Sequence, residues 1–171
     1  VSDDIYEALI YDGTKYICVA SFGKEVYDRT IVINGVSKSY AMTGWRIGYA
    51  CGPKDVIKAM GDIQSHTTSC PSSVSQKASV AALRGDHAPV RAMVEQFKKR
   101  CDYMSERLAA MPGIECPKPL GAFYCFPKVS SYYGKSVDGV KIMNSIDFSG
   151  VMLEKAHIAL VAGSAFGSDD Y

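Results

Sequence analysis

The sequence predicts an α/β fold, and three features of the chain support this prediction. Residues 30–37 have the sequence TIVINGVS, a β-branched apolar run without alternation. Such a run is typical of a strand that is buried on both faces in a parallel sheet. Strand-like and helix-like segments then alternate up to about residue 85. A long amphipathic helix is predicted over residues 90–108, and an α+β pattern follows it. We therefore expect a mostly parallel sheet with helices in residues 1–85 and a second, α+β domain in residues 86–171.

The elements of the first part follow from local signals. A second short strand is predicted over residues 45–52, since the run WRIGYACG is apolar and ends at a Gly-Pro pair. A helix is predicted to begin at Pro53, because proline suits the first helical turn. A further helix is predicted from a cap at Ser72 or Ser73 to a stop at Gly85.

The second part begins with the strongest periodic signal in the chain. Apolar residues recur at helical spacing at Val90, Met93, Val94, Phe97, Cys101, Met104 and Leu108. Turn signals around short strands follow in residues 111–129. Residues 130–145 are polar, contain glycine and tyrosine, and are predicted to form a surface loop. Residues 147–164 are predicted to form a helix, then a strand, then a loop.

Composition excludes several classes of function. With 19 basic and 18 acidic residues the net charge is +1, which argues against a broad surface for nucleic acid or for an acidic membrane. No apolar run approaches the roughly 20 residues that span a bilayer. The six cysteines form no C-x-x-C pair and the three histidines form no H-E-x-x-H motif, so we expect no metal site. Scattered cysteines of this kind predict free thiols and a cytoplasmic protein.

Two cations stand out between residues 31 and 52. Lys38 and Arg46 are the only charged residues in this stretch, and no Asp or Glu accompanies them. Lys38 follows the predicted buried strand, where open α/β sheets bind their ligands, and a lysine in such a place can form a Schiff base. Arg46 without a carboxylate suits a phosphate or a substrate carboxylate. The alternatives are a lysine that extends to water and an arginine that pairs with a distant acid.

The stretch GVSKSYAMTGWRIG, which contains both cations, resembles position by position the lysine signature of the class I aminotransferases. These are pyridoxal 5'-phosphate enzymes of fold type I. The stretches DDIYEALIYDG, QSHTTSCPSSVSQKA, GAFYCFP and GSAFG resemble the same family in the same order, and the subgroup that acts on aspartate and prephenate is the most similar. The resemblance implies that residues 1–85 are the C-terminal part of the cofactor-binding large domain. It also implies that residues 86–171 are the connecting helix and most of the small domain.

The resemblance also implies an activity and partners. The parent protein would be a transaminase that moves an amino group between an L-amino acid, aspartate-like in structure, and a 2-oxo acid. Its small-molecule partners would be these two acids, and it would act as a homodimer, with neither nucleic acid nor membrane as partner. Two alternatives stay open: another fold type I enzyme, such as a lyase or decarboxylase, and a structural fragment that binds no cofactor.

Four residues receive roles from the resemblance. Lys38 would form the aldimine with the cofactor and later move a proton as acid and base. Arg46 would bind the cofactor phosphate. Asp3 would pair with the pyridinium nitrogen, and Tyr6 would place its hydroxyl near the ring oxygen O3′. Asp4 is not expected to touch the ring.

The sequence departs from the family pattern in a few places. Many relatives carry serine where this chain has Gly35, and proline where it has Ala162. Ser37 is a nearby hydroxyl, but alternation along an extended chain would point it away from Lys38. The chain lacks an initiator Met and resembles an internal or C-terminal fragment. Other family site residues would lie before Val1 and after Tyr171, so we expect the 171-residue chain alone to be inactive.

Overall fold

The computed structural model describes residues 1–168, which divide into two compact units. The first unit comprises Val1–Lys98 and Leu120–Phe123, and the second comprises Lys99–Pro119 and the described residues from Tyr124 onward. The predicted division at residue 85 concerns the domains of a longer protein and stays a prediction. Within the described part of the chain, no helix has the length and apolar character needed to cross a membrane.

The first unit contains a three-stranded sheet in the order β1-β2-β3. These strands are β1 (Ser2–Asp3), β2 (Val32–Gly35) and β3 (Gly48–Cys51). β1 runs parallel to β2, with Asp3 opposite Ile33, whereas β2 and β3 are antiparallel. The two predicted strands are therefore present but shorter than expected, and the sheet within this chain is mixed. The carboxyl ends of β1 and β2 lie at the same edge because these strands are parallel.

Three helices complete the first unit: α1 (Lys24–Arg29), α2 (Lys54–Thr67) and α3 (Ser73–Arg84). The predictions for α2 and α3 are confirmed, since Pro53 precedes α2 and Ser72 occupies the position before α3. No prediction was made for α1, whose six residues offer too little periodicity to recognise.

The long helix α4 (Ala88–Ala109) has 22 residues and confirms the strongest periodic signal of the sequence. It begins in the first unit and continues into the second. In the second unit its residues Cys101 and Ser105 are buried, whereas Met104 is 47% exposed. The apolar stripe therefore predicted the helix correctly, although not every member of the stripe is buried.

The segment 130–145 is largely exposed, as predicted, but it contains a β-hairpin, so the prediction of a loop throughout was wrong. The hairpin joins β4 (Ser136–Val137) to β5 (Val140–Lys141). Its turn residues Asp138 and Gly139 have φ values of 48° and 81°. An Asp-Gly pair with both φ values positive is a favoured two-residue hairpin turn. The sequence contained this signal, but the polar composition of the segment obscured it.

Helix α5 (Ser145–Ala156) follows the hairpin and confirms the predicted helix. The side chain of Asn144 caps it by accepting a hydrogen bond from the backbone N–H of Asp147 at 2.9 Å. His157 ends it in the left-handed region, with φ of 56°. The strand predicted after the helix is wrong, because residues 158–162 pair with no other strand in the part of the chain that the structure describes.

The short strands predicted over residues 111–129 are also wrong. This segment makes two isolated bridges instead of a ladder, one between Glu115 and Lys128 and one between Ile10 and Gly121. Turn-forming residues interrupt the segment too often for a continuous run of pairing.

Candidate functional site

The candidate site lies in the first unit, at the edge where β1 and β2 end. A cleft of about 270 Å³ opens there. Its lining residues come from the end of β1, the end of β2 and the start of β3: Asp3, Ile5, Ile33, Asn34, Ser37, Arg46, Ile47 and Gly48. Two of the four residues predicted for the site, Asp3 and Arg46, therefore face one cleft. Crevices at the carboxyl ends of strands are the usual ligand sites of open α/β sheets.

Asp3 is the last residue of β1 and is exposed. One carboxylate oxygen, Oδ1, accepts a hydrogen bond from the backbone N–H of Ile5 at 3.2 Å. This bond orients the side chain at the strand end. In residues 1–168 Asp3 forms no salt bridge with a lysine or arginine. Its carboxylate therefore has the charge and exposure to receive a protonated nitrogen from a ligand.

Arg46 follows a short 3₁₀ turn, Thr43–Trp45, and takes the left-handed conformation with φ of 54°. One guanidinium nitrogen, Nη1, donates to the carbonyl oxygen of Thr43 at 2.8 Å. The side chain is exposed, and no Asp or Glu within residues 1–168 lies at salt-bridge distance from it. The guanidinium is thus oriented by its own loop, with donors left to bind an anion.

Lys38 lies in a helical turn that follows β2, where the backbone N–H of Tyr40 donates to the carbonyl oxygen of Val36 at 3.2 Å. The side chain is half-buried and its ammonium lies 5.8 Å from the ring centroid of Tyr6 and 5.2 Å from that of Phe123. Among the described residues it has no carboxylate partner. Lys38 is not one of the cleft-lining residues, although its neighbour Ser37 is.

Ser37 was expected to point away from Lys38, but the reason given for this was wrong. It assumed an extended chain, in which adjacent side chains point to opposite sides. Residues 37–40 form a turn instead, so the alternation rule does not apply to them. Ser37 lines the cleft together with Arg46 and Asp3. A hydroxyl and a guanidinium on one cleft are a suitable pair of donors for a phosphate.

Two residues at the end of β2 contribute to this edge of the sheet, and of these Asn34 was not among the predicted site residues. Asn34 is 7% exposed and lines the cleft, and its Oδ1 accepts from the N–H of Gly35 at 2.7 Å. A Cβ atom at Gly35 would lie only 2.8 Å from the carbonyl oxygen of Ile47. Gly35 therefore allows β2 and the residues before β3 to approach closely.

Tyr6 belongs to an aromatic cluster that no local pattern indicated. Its ring meets Phe123 edge to face, with centroids 5.4 Å apart and an interplanar angle of 81°. Phe97 from α4 stacks on Phe123 at 5.4 Å and 25°. The sequence places these residues far apart, and tertiary folding brings Tyr6 and Phe123 next to Lys38 and Phe97 next to Phe123.

A buried carboxylate lies directly beside Asp3. Asp4 is 8% exposed and accepts hydrogen bonds from Ser2 Oγ at 2.7 Å and from the hydroxyl of Tyr16. Burial alone would raise the pKa of Asp4, but the hydrogen bonds from Tyr16, Ser2 and Cys18 outweigh it, so the pKa lies below its ordinary value. Burial and the bond to Asp4 raise the pKa of Tyr16. The hydrogen bond from Tyr16 to Asp4 therefore holds the segment around Tyr16 close to the end of β1.

The sequence of this chain matches one protein family and several curated proteins of the same kind. The family described as "Aminotransferase class I and II" matches residues 1–170. An aspartate aminotransferase of Geobacillus stearothermophilus is 46% identical over 170 residues, which are 99% of this chain and 42% of that protein. One from Rhizobium meliloti (strain 1021) is 48% identical over 166 residues, 96% of this chain and 40% of that protein.

Solved structures agree with these sequence matches. The crystal structure of the aspartate aminotransferase from Rhizobium meliloti superposes with a TM-score of 0.89 at 47% identity, covering 96% of this chain and 41% of that one. The chain thus spans about two-fifths of the length of the relatives it matches.

Proposed function

We propose, starting from the fact that this chain belongs to the class I and II aminotransferase family, that Lys38 and the cleft next to it serve transamination. The substrates would be an aspartate-like L-amino acid and a 2-oxo acid. The observation that carries the proposal is a pair of cations, Lys38 and Arg46, neither of which has a carboxylate partner in residues 1–168. Both belong to the segment that joins β2 to β3.

The residues present fit pyridoxal 5'-phosphate, the cofactor of this family. The cleft offers a guanidinium at Arg46 and a hydroxyl at Ser37 for a phosphate, and a carboxylate at Asp3 for a ring nitrogen. Its volume of about 270 Å³ suits a small ligand and lies just below the usual range of roughly 300–1,000 Å³ for ligand pockets. Lys38 follows Ser37 directly and supplies the amine. The donor set therefore contains one group for each polar feature of the cofactor.

When bound, the cofactor supplies an electrophilic carbon and a ring that accepts electrons from the substrate Cα. Arg46 would hold the phosphate through charge-assisted hydrogen bonds, and Ser37 would add a further donor. Asp3 would keep a proton on the ring nitrogen, because an adjacent carboxylate favours the charged form of that nitrogen. Tyr6 would orient its hydroxyl toward the ring oxygen.

Lys38 would have two tasks. Its Nζ would hold the cofactor covalently, and as a free amine it would take the proton from the substrate Cα and return it as a general acid. A carboxylate paired with the ammonium would hinder both tasks. Among the described residues Lys38 has no such partner, and its ammonium contacts aromatic rings instead.

The main alternative is another enzyme of the same fold, such as a lyase or decarboxylase that uses the same lysine. The relatives at 46–48% identity are named aspartate aminotransferases, and this favours transamination. A structural fragment that binds no cofactor is the second alternative. Substrates and activity belong to the whole protein, and we propose that the 171-residue chain alone does not turn over.

Two broader properties are part of the proposal. We place the protein in the cytoplasm, which suits six cysteines that are all free thiols. We expect the whole protein to be a homodimer, as the family resemblance implies. Light scattering of the purified protein would measure its mass directly.

Covalent trapping of the cofactor tests the proposal. The purified protein is incubated with pyridoxal 5'-phosphate, reduced with borohydride and digested, and the modified peptide is identified by mass spectrometry. We expect one major adduct, on Lys38. A trapped adduct spread over several surface lysines, or none at any cofactor concentration, would support the structural alternative. Glutamate production from aspartate and 2-oxoglutarate by the 171-residue chain would contradict its proposed inactivity.

A further inference from the structure

The ammonium of Lys38 rests against two aromatic rings, of which Phe123 is the nearer at 5.2 Å and Tyr6 the farther at 5.8 Å. Phe123 lies far downstream in the sequence yet belongs to the same compact unit as Lys38. Both distances are within the roughly 6 Å over which a ring face attracts a cation. The lysine that carries the proposed chemistry is thus contacted by a residue with no assigned role.

Hydrogen bonds join the backbone of residues 120–123 to residues 9–11 of the first unit. Within the segment 120–123, the carbonyl oxygen of Leu120 accepts from the N–H of Tyr11 at 2.9 Å, and the N–H of Ala122 donates to the carbonyl oxygen of Leu9 at 2.8 Å. The hydroxyl of Tyr11 also donates to the carbonyl oxygen of Ala122. Leu9 and Tyr11 are 0% and 2% exposed. The segment 120–123 is therefore hydrogen-bonded to buried residues of the core.

Three local features then direct the ring. A Cβ atom at Gly121 would lie 2.8 Å from the carbonyl oxygen of Leu9, so only glycine permits this close approach. Ala122 adopts φ of 56°, a left-handed conformation that costs energy for a residue with a side chain. Phe97 stacks on Phe123 and supports its ring. The left-handed backbone at Ala122 and the stacking of Phe97 both restrict the orientation of the Phe123 ring. This degree of restriction suggests that the orientation of the ring matters, and not only its volume.

Aromatic rings hold an ammonium differently from a carboxylate. The ring face attracts the positive charge but cannot accept its proton or neutralise it. A carboxylate at the same place would form an ion pair that the lysine must break before it reacts. Two ring faces therefore restrict where Nζ lies, and they do so without the hydrogen-bonded counter-ion that a carboxylate would supply.

We propose that Phe123 is a positioning residue for Lys38: its ring face, together with that of Tyr6, holds the lysine ammonium in place without pairing its charge. The contact itself does not depend on any cofactor. Its consequence for cofactor capture rests on the proposed function of Lys38, so the experiment has two separate arms.

The first arm measures the contact without cofactor. In protein with ¹³C-labelled lysine, ring currents from Phe123 and Tyr6 shift the Hε resonances of Lys38 upfield, and Lys38→Met identifies them by their loss. We expect Phe123→Leu to move these resonances downfield and Phe123→Tyr to retain them. The control is Phe126→Leu, since Phe126 packs against Phe166 at 5.9 Å in the second unit. Unmoved Lys38 resonances in folded Phe123→Leu would overturn the inference.

The second arm measures the rate at which pyridoxal 5'-phosphate is trapped on Lys38. Phe123→Leu should slow trapping about two- to fivefold, the range that a cation–π contact at a partly exposed site provides. Stepwise fluorination of the Phe123 ring weakens its negative face while its shape hardly changes, and trapping should slow with each fluorine. If fluorination leaves the trapping rate unchanged, Phe123 only fills space, and the inference that its ring face positions Lys38 is overturned. If wild-type protein traps no cofactor but the resonance shift holds, the proposed function fails and the positioning contact stands.

Discussion

Cations on the helices of the first unit and cations between β2 and β3 have different surroundings. On α1 the ammonium of Lys24 lies 2.7 Å from Asp28, and on α2 that of Lys58 lies 2.7 Å from Asp62. Both pairs are four residues apart, the spacing that places side chains together on a helix. Lys38 and Arg46 have no such partner in residues 1–168.

Paired and unpaired cations are expected to contribute differently to stability and to ligand binding. The helical pairs are exposed and satisfied locally, and exposed pairs of this kind contribute little to stability. Lys38 and Arg46 contribute no internal pair, yet the fold orients both with its own backbone and aromatic rings. In the proposed function their charge serves a ligand, and substitutions should separate the two groups clearly.

The largest effect is expected at Lys38. Lys38→Ala should abolish the borohydride-stable adduct with pyridoxal 5'-phosphate, because within residues 1–168 no lysine lines the cleft and Lys38 directly follows the lining residue Ser37. The matched control Lys24→Ala removes an exposed, paired lysine and should leave the adduct unchanged. Mass spectrometry of the reduced protein measures both. Equal trapping by the two variants would remove the distinction between paired and unpaired cations.

Arg46 should show the next largest effect, and it should be specific to phosphate. Arg46→Met should weaken binding of pyridoxal 5'-phosphate about tenfold to a hundredfold, since hydrogen bonds to a charged group contribute about 1.5–3 kcal/mol. Binding of pyridoxal, which lacks the phosphate, should hardly change. Arg29→Met serves as control, because Arg29 is exposed and lies 3.2 Å from Glu25. Spectroscopic titration with both ligands measures the difference, and equal losses would place the phosphate elsewhere.

The hydrogen bond between the buried Asp4 and the partly exposed Tyr16 should affect stability. Tyr16→Phe should lower the free energy of unfolding by about 1–2 kcal/mol at neutral pH, because Asp4 loses a hydrogen bond. The lowered pKa of Asp4 means that its contribution is present above the ordinary value of 3.8 and is lost as the pH falls below it. The raised pKa of Tyr16 means that its contribution is present below 10.0 and is lost as the pH rises above it.

Wild type and Tyr16→Phe should therefore differ most between these two limits and converge outside them. Urea unfolding at several pH values measures the difference. A constant difference across the whole range would show that the lost hydroxyl acts through packing alone.

The smallest effect is expected on the helix surface. Lys58→Ala should change the free energy of unfolding by less than about 0.5 kcal/mol, since its pair with Asp62 is exposed on both sides. The small change should also disappear at high salt, which screens exposed charges. Urea unfolding at low and high salt provides the measurement, and a salt-independent loss above this size would mean that the side chain has a further structural role.

Several elements were predictable because their signals are local. The strand β2, the helices α2 and α3, and the periodic helix α4 all depend on residues close in sequence. The hairpin at Asp138 and Gly139 was equally local, and its polar context hid it. The strand expected over residues 158–162 failed for the opposite reason, since a strand exists only where another strand pairs with it.

The candidate site divides in the same way. The sequence by itself indicated two groups that suit a phosphate cofactor, an amine at Lys38 and a guanidinium at Arg46, and the family resemblance added a carboxylate at Asp3. Only the tertiary structure decided that Ser37 turns into the cleft and that the ring of Phe123 meets the ammonium of Lys38.

Tertiary structure also decided that Tyr16 binds Asp4. The physical reason is that residue types and short spacings fix local chemistry, whereas contacts between distant residues depend on how buried segments such as Leu9–Tyr11 pair and pack.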